Sequence, residues 1–132
     1  MPKQVYLYSK KKCKKKSKIG MLSTEATIKT KVYSKFFDKN FNLINPTKSL
    51  QIKSVNKAIK YVKMGKVKEA AKYIKPAINY LIKMKCKKII LGCTELPIAI
   101  FAFKSLKKTK LSKVFIDPNL LLAEIAMKKY KS

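Results

Sequence analysis

Lys88-Ile-Ile-Leu-Gly92 carries no polar side chain after its first residue. A strand built from it must be covered on both faces, as a central strand of a parallel sheet is. Two other short runs share that character, Lys18-Ile-Gly-Met-Leu22 and Val114–Ile116, and Phe41–Ile44, interrupted by Asn42, reads as a further short strand. Helical stripes separate them. The first is Ile28, Val32, Tyr33, Phe36 and Phe37. The second is Ile52, Val55, Ile59 and Val62, stopping at Gly65, and the third holds Val67, Ala70, Ala71, Ile74, Ile78, Leu81 and Ile82. Asp117-Pro118 opens a last helix, with Leu121, Leu122, Ile125 and Ala126 on one face. Strands separated by helices imply parallel pairing and right-handed crossovers. The expected fold is α/β: a three-layer, flavodoxin-like lobe over residues 18–132, built on a parallel sheet of about four strands. Residues 1–17, a short apolar patch and then lysines, read as a basic tail. Pro76, inside the third stripe, predicts a kink or a break there, at a cost of about 3 kcal/mol.

Charge narrows the function. The 132 residues include 33 lysines, no arginine, no histidine and six acidic residues, for a net charge of +27. Hydrophobic residues make up 47%, enough for a core and against wholesale disorder. Without histidine there is no Ser-His-Asp triad, no histidine-ligated zinc and no histidine base. Cys13, Cys86 and Cys93 show no CxxC spacing, which removes a Cys₄ or Cys₃His zinc site. An odd, sparse cysteine count disfavours a secreted disulfide scaffold and fits a reducing cytoplasm. Val5–Tyr8 is too short for a signal-peptide core. Pro97–Phe103, the longest apolar stretch, is far below the ~18 residues of a membrane span. The expectation is a soluble, cytoplasmic chain with no membrane contact. Lysine without arginine also disfavours specific nucleic-acid recognition. The lysines admit two readings. One is a coding bias that fills solvated positions. The other is a polyanion-binding surface centred on Lys10–Lys18.

Cys93 leaves the end of the apolar strand and precedes Thr94, read here as a helix N-cap with Glu95 and Pro97 in the first turn. A thiol entering a helix N-terminus within a lysine field is expected to have a lowered pKa and to act as nucleophile or base. The alternative is a small buried hydrophobe. Cys86 lies at the opposite end of the same strand, and Cys13 lies in the lysine run. Ser23-Thr24, at the end of the first strand, marks a second group of polar residues where α/β sheets carry their sites.

Ile89-Ile-Leu-Gly-Cys-Thr-Glu-Leu-Pro97 resembles the second cysteine motif of the cofactor-independent aspartate/glutamate racemase family. Lys18-Ile-Gly-Met-Leu-Ser-Thr-Glu-Ala-Thr27 is similar to the strand and Gly-Thr-x-Ala-Thr loop that open the family's second lobe. Ile59-Lys-Tyr-Val-Lys-Met-Gly65 resembles its Ile-x-x-Ile-Lys-x-Gly stretch, and Phe115–Glu124 its closing strand and helix. Glu95 stands where glutamate racemases carry histidine, which points to the aspartate-racemase-like branch. The resemblance implies an isomerase that needs no pyridoxal phosphate and no metal. In it, one cysteine removes the α-proton of aspartate or glutamate and a second returns a proton to the opposite face. It gives Cys93 a catalytic role and makes Thr94 a donor to the α-carboxylate. Lys63 becomes the partner of the distal carboxylate, and Thr24 and Thr27 line the same cleft. Only the second half of the family is represented, however. The first-lobe cysteine motif has no counterpart, Cys13 does not match it, and Ser23 replaces the usual glycine. The expected protein is therefore a truncated or split racemase half that needs a separately encoded first lobe or a second copy. The closing segment Val114–Tyr130 would then expose an apolar face. Two alternatives stand beside it: a catalytically inactive lobe kept as an interaction module, and a lysine-rich polyanion-binding protein.

Overall fold

A computed structural model of the chain describes residues 2–102 and 113–131. Phe103, which ends the apolar stretch begun at Pro97, lies outside them. The strands are β1 (Lys18–Leu22), β2 (Asn42–Ile44), β3 (Lys88–Leu91) and β4 (Phe115–Ile116). They form one parallel sheet in the order β2-β1-β3-β4. The register sets Ile19 beside Leu43, Gly20 beside Ile89, and Ile90 beside Ile116.

Alternation along the strands splits the buried residues into two cores. Ile19, Met21, Ile90 and Ile116 face one side and pack with Val5, Phe37, Phe41 and Leu121. These come from α1 (Pro2–Lys12), α3 (Ser34–Phe37), the loop after α3, and α8 (Pro118–Lys131). Leu22, Ile89 and Leu91 face the other side and pack with Ile59, Ile74, Leu81, Leu96 and Ile100. That layer is α5 (Lys57–Lys63), α6 (Val67–Lys83) and α7 (Leu96–Phe101). The architecture is thus the expected three-layer α/β lobe. Gly20 matters to it: a Cβ there would sit 3.0 Å from Leu81 Cδ1, so any larger residue would require the Leu81 side chain of α6 to shift by a few tenths of an ångström. The short α2 (Glu25–Thr30) follows β1, and α4 (Lys48–Leu50) follows β2. A widened π-helical segment, Gln51–Asn56, joins α4 to α5. Among the described residues, no helix is long and apolar enough to cross a membrane.

Two local expectations are corrected. Residues 1–17 do not form a tail along their whole length, because Pro2–Lys12 is helix α1, with Val5 and Ser9 fully buried. Ser9 is tolerated there because its hydroxyl donates to Val5 O at 2.9 Å. The Tyr6 ring packs edge-on against Phe37 at 5.5 Å. Lys10, Lys11 and Lys12 form the last turn of α1, where cations oppose the negative end of the helix dipole. Val5→Ala should therefore cost about 2 kcal/mol of stability, read as a lower urea midpoint with unchanged slope. A true tail would leave the midpoint where it was.

The second correction concerns Pro76. It neither ends nor divides its helix, since α6 runs from Val67 to Lys83 with the proline inside. Ser54, reaching across from the π-helical segment, explains the tolerance. Its hydroxyl donates to Tyr73 O and accepts from Ala77 N at 3.2 Å. These backbone groups flank the proline, where the ring disturbs the ladder. The serine thus satisfies both from outside the helix.

Candidate active site

The carboxyl ends of β1 and β3 are neighbours in the sheet, and both release polar residues on leaving it. At Gly92 the two ends are drawn close together. Its N–H donates to Leu22 O at 2.7 Å. A Cβ on Gly92 would fall 2.4 Å from Met21 Cε and 3.1 Å from Ser23 Cβ. Cys93 follows and is half-buried. Its Sγ–H donates to Glu95 Oε2 at 2.8 Å, and the exposed Thr94 hydroxyl donates to the same oxygen at 3.0 Å. Lys63, at the end of α5, places Nζ 3.9 Å from the other carboxylate oxygen, Oε1. Glu95 is therefore the centre on which Cys93, Thr94 and Lys63 converge.

This geometry reverses the expected state of the thiol. Helix α7 starts at Leu96 with Glu95 as its N-cap, so Thr94 is not the cap and Cys93 lies ahead of the helix. The thiol thus meets only the N-cap N–H of Glu95, which favours a thiolate but is outweighed. Burial pushes its pKa up, and donation to the Glu95 carboxylate and that carboxylate's charge push it further, to about 11. The Glu95 backbone N–H opposes the rise, and Lys63 opposes it with a smaller effect. Glu95 moves the other way. Its pKa is lowered, chiefly by the hydrogen bond from Cys93, then by Thr94 and Lys63, against the cost of its own burial. At neutral pH the site holds a thiol beside a carboxylate.

Thr24 and Lys63 meet in one cleft of about 440 Å³, together with Asn56 and Lys60. Thr24 also caps α2, its hydroxyl accepting from Thr27 N at 3.2 Å. Thr27 does not line that cleft. It borders a separate cavity of about 30 Å³ with Ser23, Tyr33 and Asn45, although its hydroxyl lies 3.0 Å from that of Thr24. Cys93 reaches the larger cleft through the Glu95–Lys63 contact rather than by lining it.

Two features escaped the sequence reading. One is the role of Glu95, for which the only signal is the Cys-x-Glu spacing. The other is a hydrogen-bonded chain beneath the cleft. Buried Gln51 donates from Nε2 to Ser23 O at 2.7 Å and to Asn56 Oδ1 at 2.9 Å, and Asn56 Nδ2 donates to Glu25 Oε1 at 3.2 Å. It ties the end of β1 to the start of α5, and nothing local in either segment announces the pairing. Cys86 and Cys13 stand apart. Cys86 Sγ lies 3.4 Å from where a Gly20 Cβ would be, and Cys13 borders a pocket with Lys10 and Lys15. Burial raises the pKa of both. Among the described residues, no group of three or more His, Cys, Asp or Glu side chains is placed to hold a metal ion.

Comparison with known proteins bears on the same residues. The family model described as Asp/Glu/Hydantoin racemase matches residues 1–126, a span that includes α1. A protein of Pectobacterium carotovorum subsp. carotovorum, described as an uncharacterized protein in the pnlA 3′ region, is 32% identical over 85 residues. That match covers 64% of this chain and 56% of the Pectobacterium protein. The structure of Picrophilus torridus aspartate racemase matches with a TM-score of 0.63 and 31% identity, over 75% of this chain and 40% of its own. In both comparisons the chain spans well under two thirds of the relative's length.

Proposed function

The chain belongs to the Asp/Glu/hydantoin racemase family, and from that premise we propose that it is the carboxyl-terminal lobe of an amino-acid racemase acting on aspartate or glutamate. Cys93 is its acid–base residue. A first lobe presents the opposing base across the substrate α-carbon. The reading draws support from the partial span of the aspartate racemase and from the lone cysteine at a strand end. The observation that carries it is the half-buried Cys93 thiol, poised on Glu95 at the carboxyl edge of the sheet.

The chemistry follows from protonation states. With a pKa of about 11, Cys93 enters the reaction as a thiol and serves as the proton donor. The opposing base takes the α-proton, and the electron pair spreads into the α-carboxylate as an enediolate. Cys93 then delivers its Sγ proton to the other face of the α-carbon, leaving a thiolate on this lobe and a protonated base on the other. Reversal of the two steps runs the opposite stereochemical direction. The resulting thiolate sits beside the Glu95 carboxylate and is destabilised there, which favours proton return. Thr94, on turning its one hydroxyl hydrogen from Glu95, contributes a donor to the α-carboxylate, and Lys63 offers its charge to the distal carboxylate. Thr24 borders the same cleft.

Solvent exchange tests the reading. In D₂O, the chain co-expressed with the amino-terminal lobe of the Picrophilus torridus enzyme should replace the α-hydrogen of aspartate with deuterium, followed by NMR. Cys93→Ala should slow exchange by at least ~10³-fold, in keeping with loss of a direct acid–base group. The chain alone should show no inversion of configuration. Equal exchange by wild type and Cys93→Ala would remove the proposal.

A further inference from the structure

Lys60 borders the cleft beside Lys63 and Asn56, and the three are spaced by four and three residues along one helical face. Their engagements differ. Lys63 already faces Glu95 at 3.9 Å, so part of its charge is offset by the carboxylate that holds Cys93 and Thr94. Lys60 has no ion pair among the described residues. Asn56 accepts from Gln51 and donates one amide hydrogen to Glu25, which leaves its second Nδ2 hydrogen for a ligand. The same cleft has an apolar wall in Ile59 and Met64. An anion approaching Lys63 alone meets the like charge of Glu95. One that also engages Lys60 gains a full, uncompensated charge one helical turn away.

We propose that Lys60 is a specificity-determining residue. With Lys63 it forms a two-lysine clamp, and the distal carboxylate of a dicarboxylic ligand bridges the two ammonium groups while Asn56 Nδ2 donates to that carboxylate. This deepens the racemase reading above and rests on it for the identity of the natural ligand. The clamp itself is a claim about dicarboxylates as a class. The diffuse lysine field of the chain attracts any anion, so the clamp is distinguished by selectivity and not by attraction alone.

The test compares succinate, a four-carbon dicarboxylate, with propionate, a monocarboxylate, on the full chain at 0.15 M salt by isothermal titration. Wild type should bind succinate saturably and at least ~10-fold more tightly than propionate. Lys60→Ala should bring succinate down to the propionate level while leaving propionate little changed, and Lys60→Arg should keep most of the preference. Lys53→Ala, which removes an exposed lysine from the π-helical segment outside the cleft, controls for net charge and should change neither affinity by more than ~2-fold. The clamp is overturned by equal weakening of both ligands in Lys60→Ala, by an equal succinate loss in Lys53→Ala, or by no saturable succinate binding. The two proposals fail separately. Lys60-dependent selectivity without α-proton exchange would sink the racemase reading and leave the clamp standing. Exchange without that selectivity would do the reverse.

Discussion

Alkylation of Cys93 by iodoacetamide should follow a pH profile with its midpoint near 11, about two units above an ordinary thiol. At pH 8 the thiolate fraction is then ~100-fold below that of an unperturbed cysteine. Higher basicity makes each thiolate more nucleophilic, which recovers roughly tenfold, so the observed rate should be ~10-fold low. The neighbours predict opposite shifts. Glu95→Gln removes the charge that disfavours the thiolate, so the midpoint should fall and the rate at pH 8 should rise severalfold. Lys63→Ala removes the opposing cation, so the midpoint should rise. Peptide-resolved mass spectrometry separates Cys93 from Cys13 and Cys86. A Cys93 midpoint at or below 9 would restore the thiolate reading and with it a resting base instead of a resting acid.

Ser54→Ala should destabilise the fold by about 2 kcal/mol and lower Tm by roughly 8 °C. The change removes the hydroxyl that reaches Tyr73 O and Ala77 N, two groups in the interior of α6, from outside the helix. Buried backbone groups left without partners carry their full desolvation cost. The cause assigned here is Pro76, so the two sites should be coupled. In Ser54→Ala/Pro76→Ala the helix can close its own bond from Ala77 N to Tyr73 O. The double variant should then recover at least half of the loss, measured by urea unfolding in a double-mutant cycle. Additive losses would show that the serine does not compensate for the proline.

Much of the architecture was legible because it rests on local periodicity. The runs at Lys18–Leu22 and Lys88–Leu91 can be buried on both faces only in a covered parallel sheet, and their alternation already sorts Ile89 and Leu91 from Ile90. The cysteine at the end of β3 was equally visible, because α/β sheets expose their chemistry at carboxyl ends. Helix α1 was not. Its buried positions include a serine satisfied by its own backbone, so the segment shows little apolar stripe. A cluster of residues distant in sequence, Phe37 and Ile116 among them, turns Val5 into a core residue. Pro76 looked like a break because its remedy sits in another segment, at Ser54.

The amino-acid order by itself determined the layers, the strand succession and which sulfur stands at the sheet's edge, since each depends on side-chain periods of two or about 3.6 along the backbone. Tertiary structure alone decided the state of that sulfur. Whether Cys93 is a thiol or a thiolate turns on how far it is buried, where α7 begins, and on the Glu95 carboxylate 2.8 Å away. A pKa reports the charges and solvent within a few ångströms of an atom, and those are assembled only when the chain folds.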